Sequence, residues 1–207
     1  MSVHVIVLAA GQGSRMKSDL PKVLHPLSGK PLLQHVLDTV DDMNVDGVHV
    51  VIGHQSEKVK DTIKDPSINW CYQAEQLGTG HAVAQAVDAI PKESKVLILY
   101  GDVPLTKKET LTNLLGTVTD TKLALLTVFL ENPTGYGRII RDEDSCILAI
   151  VEEKDANELE RQVNEVNTGI LAISAESLHR LIPSLGNKNA QGEYYLTDII
   201  EMFAKEG

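Results

Sequence analysis

The residues best equipped for chemistry lie near the start of this chain, where Leu8-Ala9-Ala10-Gly11-Gln12-Gly13-Ser14-Arg15-Met16 is followed by Pro21-Lys22. Gly11 and Gly13 open backbone conformations closed to other residues, so main-chain N–H groups can approach phosphate oxygens with no side chain in the way. Arg15 and Lys22 would neutralise the anion held there, since one ion pair near 4 Å is worth about 4 kcal/mol at an effective dielectric constant of 20. The spacing excludes the commoner glycine loops. A dinucleotide fingerprint needs a third glycine where Met16 stands, and a P-loop needs four residues between its glycines and then Gly-Lys-Ser/Thr. What remains is a loop suited to a polyphosphate.

Further candidates lie downstream. Asp102 follows an apolar run through Tyr100-Gly101, which places a carboxylate where ligands of parallel α/β sheets bind. Magnesium takes oxygen donors and completes its shell with water and phosphate, so a single aspartate can begin a site; the competing reading is a turn cap. Gln73-Ala74-Glu75-Gln76-Leu77-Gly78-Thr79-Gly80 sits between a strand-like and a helix-like segment. There Gln73 could pair with the imide edge of a base, Gly78 permits close approach, and Thr79 brings a hydroxyl. The loop alone does not identify the base. The histidines at 4, 25, 35, 49, 54, 81 and 179 form no ligand cluster, and His25 and His35 lack the i,i+4 spacing of a helical zinc site.

The elements that must position these groups are legible as apolar runs. Residues 3–8 are β-branched and almost uncharged, the pattern of a strand covered on both faces, and similar runs recur at 48–52, 68–72 and 96–99. Helical spacing between them, at 31–40, 78–89 and 111–118, gives a βαβ rhythm, and right-handed crossovers would make these strands parallel. Further strands are predicted at 123–130, 147–151 and 166–173, with turn signals at Pro133-Thr134-Gly135 and Asp142-Glu143-Asp144, so the later half should be mixed. Helices are expected at 156–163, 175–182 and 197–204. Asn189 to Asp198 could cap the last of these or line a substrate rim, with helix initiation the safer reading. With no low-complexity linker or repeat, one sheet with two lobes is expected rather than independent domains.

Composition bounds the partners. At 207 residues and 43% hydrophobic, with 4% aromatic, the chain suits one aliphatic α/β domain. A net charge of -10 argues against a nucleic-acid or anionic-membrane surface, so the anionic partner should be small. That charge is spread over distances beyond a screening length of about 8 Å, which lets local cations prevail. Cys71 and Cys146 form no metal-like pair and fit a reduced, cytoplasmic protein. No leader pattern and no membrane-spanning apolar run is expected.

The opening LAAGQGSRM, with LPKVLHPLSGKPLLQHV, resembles that of sugar-nucleotide pyrophosphorylases, and YQAEQLGTGHA, YGDVPL, PTGYGRI, IVEEKDA, VNTGI and NAQGEYYLTD continue the match in order. Together they are similar to the uridyltransferase domain of the bacterial bifunctional N-acetylglucosamine-1-phosphate uridyltransferase/glucosamine-1-phosphate acetyltransferase family, from about residue 3 to 207. The resemblance implies a Rossmann-like nucleotidyltransferase fold, mostly parallel with a mixed second half. It implies Mg²⁺-dependent transfer of UMP from UTP to N-acetylglucosamine 1-phosphate, giving UDP-N-acetylglucosamine and pyrophosphate for cell-envelope precursors. It also implies catalytic roles for Arg15, Lys22 and Asp102, the last as metal ligand. Substrate contacts are implied at Leu8, Ala9, Ala10, Gly11, Lys22, Gln73, Gly78, Thr79, Tyr100, Gly101 and Asp102, with the sugar at Gly137, Glu152 and Asn167. Taken singly, Glu152 could belong to a solvated charge run and Gly137 to a hairpin.

The resemblance has two further consequences. The family pairs its metal aspartate with a downstream asparagine expected beyond Gly207, and its second domain, a trimer-forming β-helix acetyltransferase, is not expected in residues 1–207. Other readings stay open: a pyrophosphorylase for another nucleotide sugar, a non-catalytic nucleotide-sugar sensor, and a dehydrogenase, which Met16 disfavours.

Overall fold

A computed structural model describes residues 1–11, 13, 16 and 18–206. Arg15, one of the expected catalytic cations, lies outside the described residues.

The first half alternates strand and helix: β1 (Val3–Leu8), a two-stranded ribbon of β2 (Pro26–Leu27) and β3 (Lys30–Pro31), α1 (Leu32–Asp41), β4 (Gly47–Ile52), α2 (Ser56–Ile63), β5 (Ile68–Tyr72), α3 (Thr79–Val87), β6 (Lys95–Tyr100) and α4 (Lys108–Thr117). Then come β7 (Ala124–Phe129), β8 (Arg138–Arg141), β9 (Ile147–Val151), β10 (Glu165–Ser174), α5 (Ala175–Leu181) and α6 (Asp198–Lys205). The main sheet has eight strands in the order β5-β4-β1-β6-β10-β8-β9, with β7 paired to β10. The strands β5, β4, β1 and β6 are mutually parallel, whereas β10 runs antiparallel to β6, β7 and β8, and β8 antiparallel to β9. The mixed second half is as expected.

Burial explains the uncharged strands. In β1, Val5 and Val7 face a core shared with α1, α2 and α4, while Ile6 and Leu8 face another built from α3, α5 and α6. Both faces are covered, so alternation with polar residues is absent. The chain runs from β1 outward through β4 and β5, then returns to place β6 on the other side of β1. That reversal opens a crevice at the carboxyl ends of β1 and β6, where open α/β sheets bind ligands.

The helix expected at 156–163 is not formed. Asn157 Oδ1 accepts from the N–H groups of Leu159 and Glu160 at 2.9 and 3.0 Å, and Glu160 Oε2 accepts from the Asn157 N–H at 2.8 Å. This reciprocal cap starts only a 3₁₀ turn at Glu160–Gln162, because no apolar stripe follows: Leu159 is 76% exposed. Four elements go beyond the predicted set: the short ribbon strands β2 and β3, helix α2 and strand β8. In α2, Val59 and Ile63 are the only buried side chains, and β8 carries a fully buried Arg138.

Candidate functional site

The crevice is built by strand ends. Leu8 pairs with Tyr100 in register, the Gly101 N–H donates to the Leu8 carbonyl at 2.9 Å, and the Ala9 N–H donates to the Val51 carbonyl at 2.8 Å. These bonds carry the chain past the end of β1 in extended form and fix Ala9 and Ala10 as buried floor. Above them opens a cleft of about 560 Å³. Leu8, Ala9, Ala10 and Gly11 line one side, with Lys22, Tyr100 and Asp102, and Gln73, Gly78 and Thr79 form the facing wall. The expected nucleotide contacts thus converge, except that Gly101 lies beneath the floor, where an added Cβ would stand 3.2 Å from Leu33 and Val23 side-chain carbons.

The cation and the carboxylate meet in this cleft. Lys22 Nζ forms an ion pair with Asp102 Oδ2, and the Lys22 side chain is 44% exposed against 17% for Asp102. Gly13, at φ +61°, lies against this lysine, where a Cβ would come within 2.8 Å of Lys22 Cβ. Among the described residues no group of three or more His, Cys, Asp or Glu side chains could hold a metal by itself. Asp102 is a single carboxylate donor, here paired with the Lys22 ammonium, so a hard cation bound there would have to draw its remaining ligands from phosphate oxygens and water.

The facing wall is braced by the 189–198 segment, which the sequence offered as a helix cap or a substrate rim. The Tyr194 N–H donates to the Leu77 carbonyl and the Gly80 N–H to the Tyr194 carbonyl, both at 2.8 Å, and the Leu196 N–H donates to Thr79 Oγ1 at 3.0 Å. Gly78 (φ +111°) is needed here because a Cβ would stand 2.6 Å from the Tyr194 oxygen. The same segment reaches the opposite lobe, where Thr197 Oγ1 donates to Glu152 Oε1 at 3.1 Å and the Tyr195 hydroxyl to Asp155 Oδ2 at 3.2 Å. The sequence signal was the contiguous Gly192-Glu193-Tyr194-Tyr195-Leu196-Thr197; its bridging role depends on contacts across more than a hundred residues, as with Leu196 and Thr79 (|i−j| 117).

Gly137, Glu152 and Asn167 come together next to the cleft. The Asn167 N–H donates to the Gly137 carbonyl at 2.9 Å, and a Cβ on Gly137 would lie 3.4 Å from Glu152 Oε1. Asn167 sits where β10 shifts register against β7, and its Oδ1 accepts from the Gly169 N–H at 2.8 Å, which leaves its amide nitrogen as donor. Burial pushes the Glu152 carboxyl up, a shift that the Thr197 hydrogen bond opposes and the nearby Asp155 and Glu193 charges assist. None of these residues lines the main cleft; Tyr100 links the two clusters. Burial drives its phenol upward, helped by the Glu152 and Asp102 carboxylates and opposed by a hydrogen bond with Thr79. Gly169 (φ +84°) packs on its ring so closely that a Cβ would stand 2.4 Å from Tyr100 Cε2.

Comparison with known proteins places this arrangement. The family model of the MobA-like NTP transferase domain matches residues 5–160. The chain is 57% identical over 205 residues to "Bifunctional protein GlmU" of Marinobacter nauticus, covering 99% of this chain and 45% of that protein. It is 55% identical over 207 residues to the protein of the same name in Chromohalobacter salexigens, covering 100% of this chain and 46% of that protein. The chain thus spans less than half the length of these curated relatives. Among solved structures, UDP-glucose pyrophosphorylase complexed with UDP-glucose superposes with a TM-score of 0.80 at 17% identity, over 100% of this chain and 88% of that one. HddC from Yersinia pseudotuberculosis complexed with GMP-PN does so with a TM-score of 0.65 at 23% identity, over 94% and 83%. At these identities the likeness shows a shared nucleotidyltransferase fold.

Proposed function

The chain belongs to the MobA-like NTP transferase domain family, and from that premise we propose that it transfers UMP from UTP to N-acetylglucosamine 1-phosphate, releasing pyrophosphate and UDP-N-acetylglucosamine. The observation that carries this reading is the convergence of Lys22, Asp102 and the glycine loop on one cleft, with the Gln73 wall on one side and the Gly137, Glu152 and Asn167 cluster on the other. The identity to proteins named GlmU over the whole chain supports it.

A phosphate oxygen of the sugar phosphate attacks the α-phosphorus of UTP, the new oxygen–phosphorus bond forms, and the bond to the bridging oxygen breaks with pyrophosphate leaving in line. The attacking oxygen is already ionised at neutral pH, so no general base is needed and catalysis consists of positioning and charge stabilisation. Lys22, paired with Asp102 in this structure, turns to the α-phosphate when substrate enters. Arg15 is assigned to the leaving phosphates from its place in the sequence. Mg²⁺ would be held by Asp102 together with substrate oxygens and supplies charge neutralisation when bound. On the sugar side, the Glu152 carboxylate accepts from hydroxyls, while the Asn167 amide and the Gly137 N–H donate.

The test is pyrophosphate release from UTP, N-acetylglucosamine 1-phosphate and Mg²⁺. Release that requires both substrates is expected; a folded chain that binds the nucleotide sugar yet releases none would make it a sensor.

A further inference from the structure

The orientation of one buried amide carries an inference about base selection, which rests on the uridylyl reading above. Gln73 is 3% exposed and lines the cleft. Its amide nitrogen lies 3.2 Å from the Gly78 carbonyl oxygen and 3.0 Å from Nδ1 of His81. A carbonyl oxygen only accepts, so the end of the amide facing Gly78 must be the NH₂ end. The same nitrogen then donates to His81, whose Nδ1 must offer its lone pair; the neutral ring therefore carries its proton on Nε2. On the far side of the ring stands the exposed Gln85, with its amide nitrogen 3.3 Å from Nε2 and 3.0 Å from the His81 carbonyl. Turning the exposed Gln85 amide exchanges its bond to the His81 carbonyl for one to solvent, whereas the buried Gln73 amide is held by Gly78 and His81 together.

We propose that His81 is a positioning residue for base selectivity. By accepting from Gln73 it commits both amide N–H groups to the protein, so that Gln73 presents its Oε1 to the base. An acceptor at that point matches the N–H at ring position 3 of uracil and opposes the lone pair that cytosine carries there. Without an acceptor at the place of Nδ1, Gly78 alone restrains the amide, which can then turn its NH₂ end toward the base and narrow the preference.

The test combines calorimetry with NMR. UTP and CTP are titrated into the native chain, His81→Leu, which removes the acceptor, and His81→Asn, which can restore one through its side-chain oxygen. The native chain should favour UTP, His81→Leu should narrow the UTP/CTP ratio by about tenfold, and His81→Asn should recover most of it, with pyrophosphate affinity unchanged throughout. A native chain without preference for UTP would defeat the base assignment itself. Native preference that survives intact in His81→Leu would overturn the role of His81 and leave the base assignment standing. Should His81→Leu fail to fold, long-range ¹H–¹⁵N spectra of the native imidazole decide: a proton on Nε2 with bare Nδ1 is required, and a proton on Nδ1 overturns the proposal.

Discussion

The two halves of the sheet position the groups of the candidate site by different means. In the parallel half, β5-β4-β1-β6, helices cover both faces and the groups facing the cleft are set by where strands stop: Ala9 and Ala10 after β1, Gln73 after β5, Asp102 after β6. In the antiparallel half, Gly137, Glu152 and Asn167 are set by a register shift in β10, a glycine at positive φ, and hydrogen bonds from the distant 189–197 segment. A strand end is fixed by a whole core. A bulge is fixed by a few contacts, and changes there that leave Tyr100 undisturbed should act locally and on one substrate.

The largest effect expected from this contrast is at Asp102. Asp102→Ala should lower transfer by about 10³-fold, with a melting temperature within a few degrees of native, because the carboxylate acts on developing charge while the core holds the backbone. Steady-state rates beside thermal unfolding check this; a matching collapse of stability would assign Asp102 to the scaffold. Next is Gly169→Val, which forces a β-branched residue into φ +84° against the Tyr100 ring. It should cost about 2 kcal/mol in denaturant unfolding and weaken binding on both sides of Tyr100. Glu152→Gln should then raise KM for the sugar phosphate about tenfold while leaving KM for UTP unchanged, since a charged acceptor becomes a neutral one. Equal shifts for both substrates would erase the distinction between the halves.

The smallest effect concerns Asp198, at the start of α6. Its carboxyl is pushed up to about 6 from an ordinary 3.8, by burial first and then by Glu201, Glu152 and Asp155. The folded state therefore holds this proton more tightly than the unfolded one. The corresponding stability is fully present below the ordinary value and is lost as pH rises through about 6. Asp198→Asn should accordingly gain up to about 1 kcal/mol over native at neutral pH, discounted because the group is partly solvated, and little in acid. Urea unfolding across that range measures it.

The same contrast decides what was legible in the sequence. The parallel half was readable because continuous apolar runs such as 3–8 and helical stripes such as Leu33, Val36, Leu37 and Val40 announce elements buried on known faces. The β8 strand was missed because Arg138 occupies a buried position. Its Nη2 donates to Glu153 Oε2 at 2.7 Å and its Nη1 to the Tyr136 carbonyl, while its Nε is buried without a partner among the described residues, an arrangement that no periodicity encodes. Helix α2 was missed because it buries only Val59 and Ile63 and is bounded by Gln55 and Lys64 in left-handed conformations. At 156–163 the capping residues were present without an apolar face, and a helix predicted there resolved into one turn. The glycine loop, Lys22, Asp102 and the Gln73 loop were candidates by residue type and spacing, and Gly137, Glu152 and Asn167 by family resemblance. Their mutual placement, and the clasp of 189–197 over Gly78, belong to tertiary contacts.

The most direct test of the account is calorimetric titration of the chain with UDP-N-acetylglucosamine in Mg²⁺, beside dTDP-glucose and GDP-mannose. Because the two half-sites meet at Tyr100, saturable binding of UDP-N-acetylglucosamine well above both comparators is predicted. Equal binding of all three, or none by a folded sample, would contradict it.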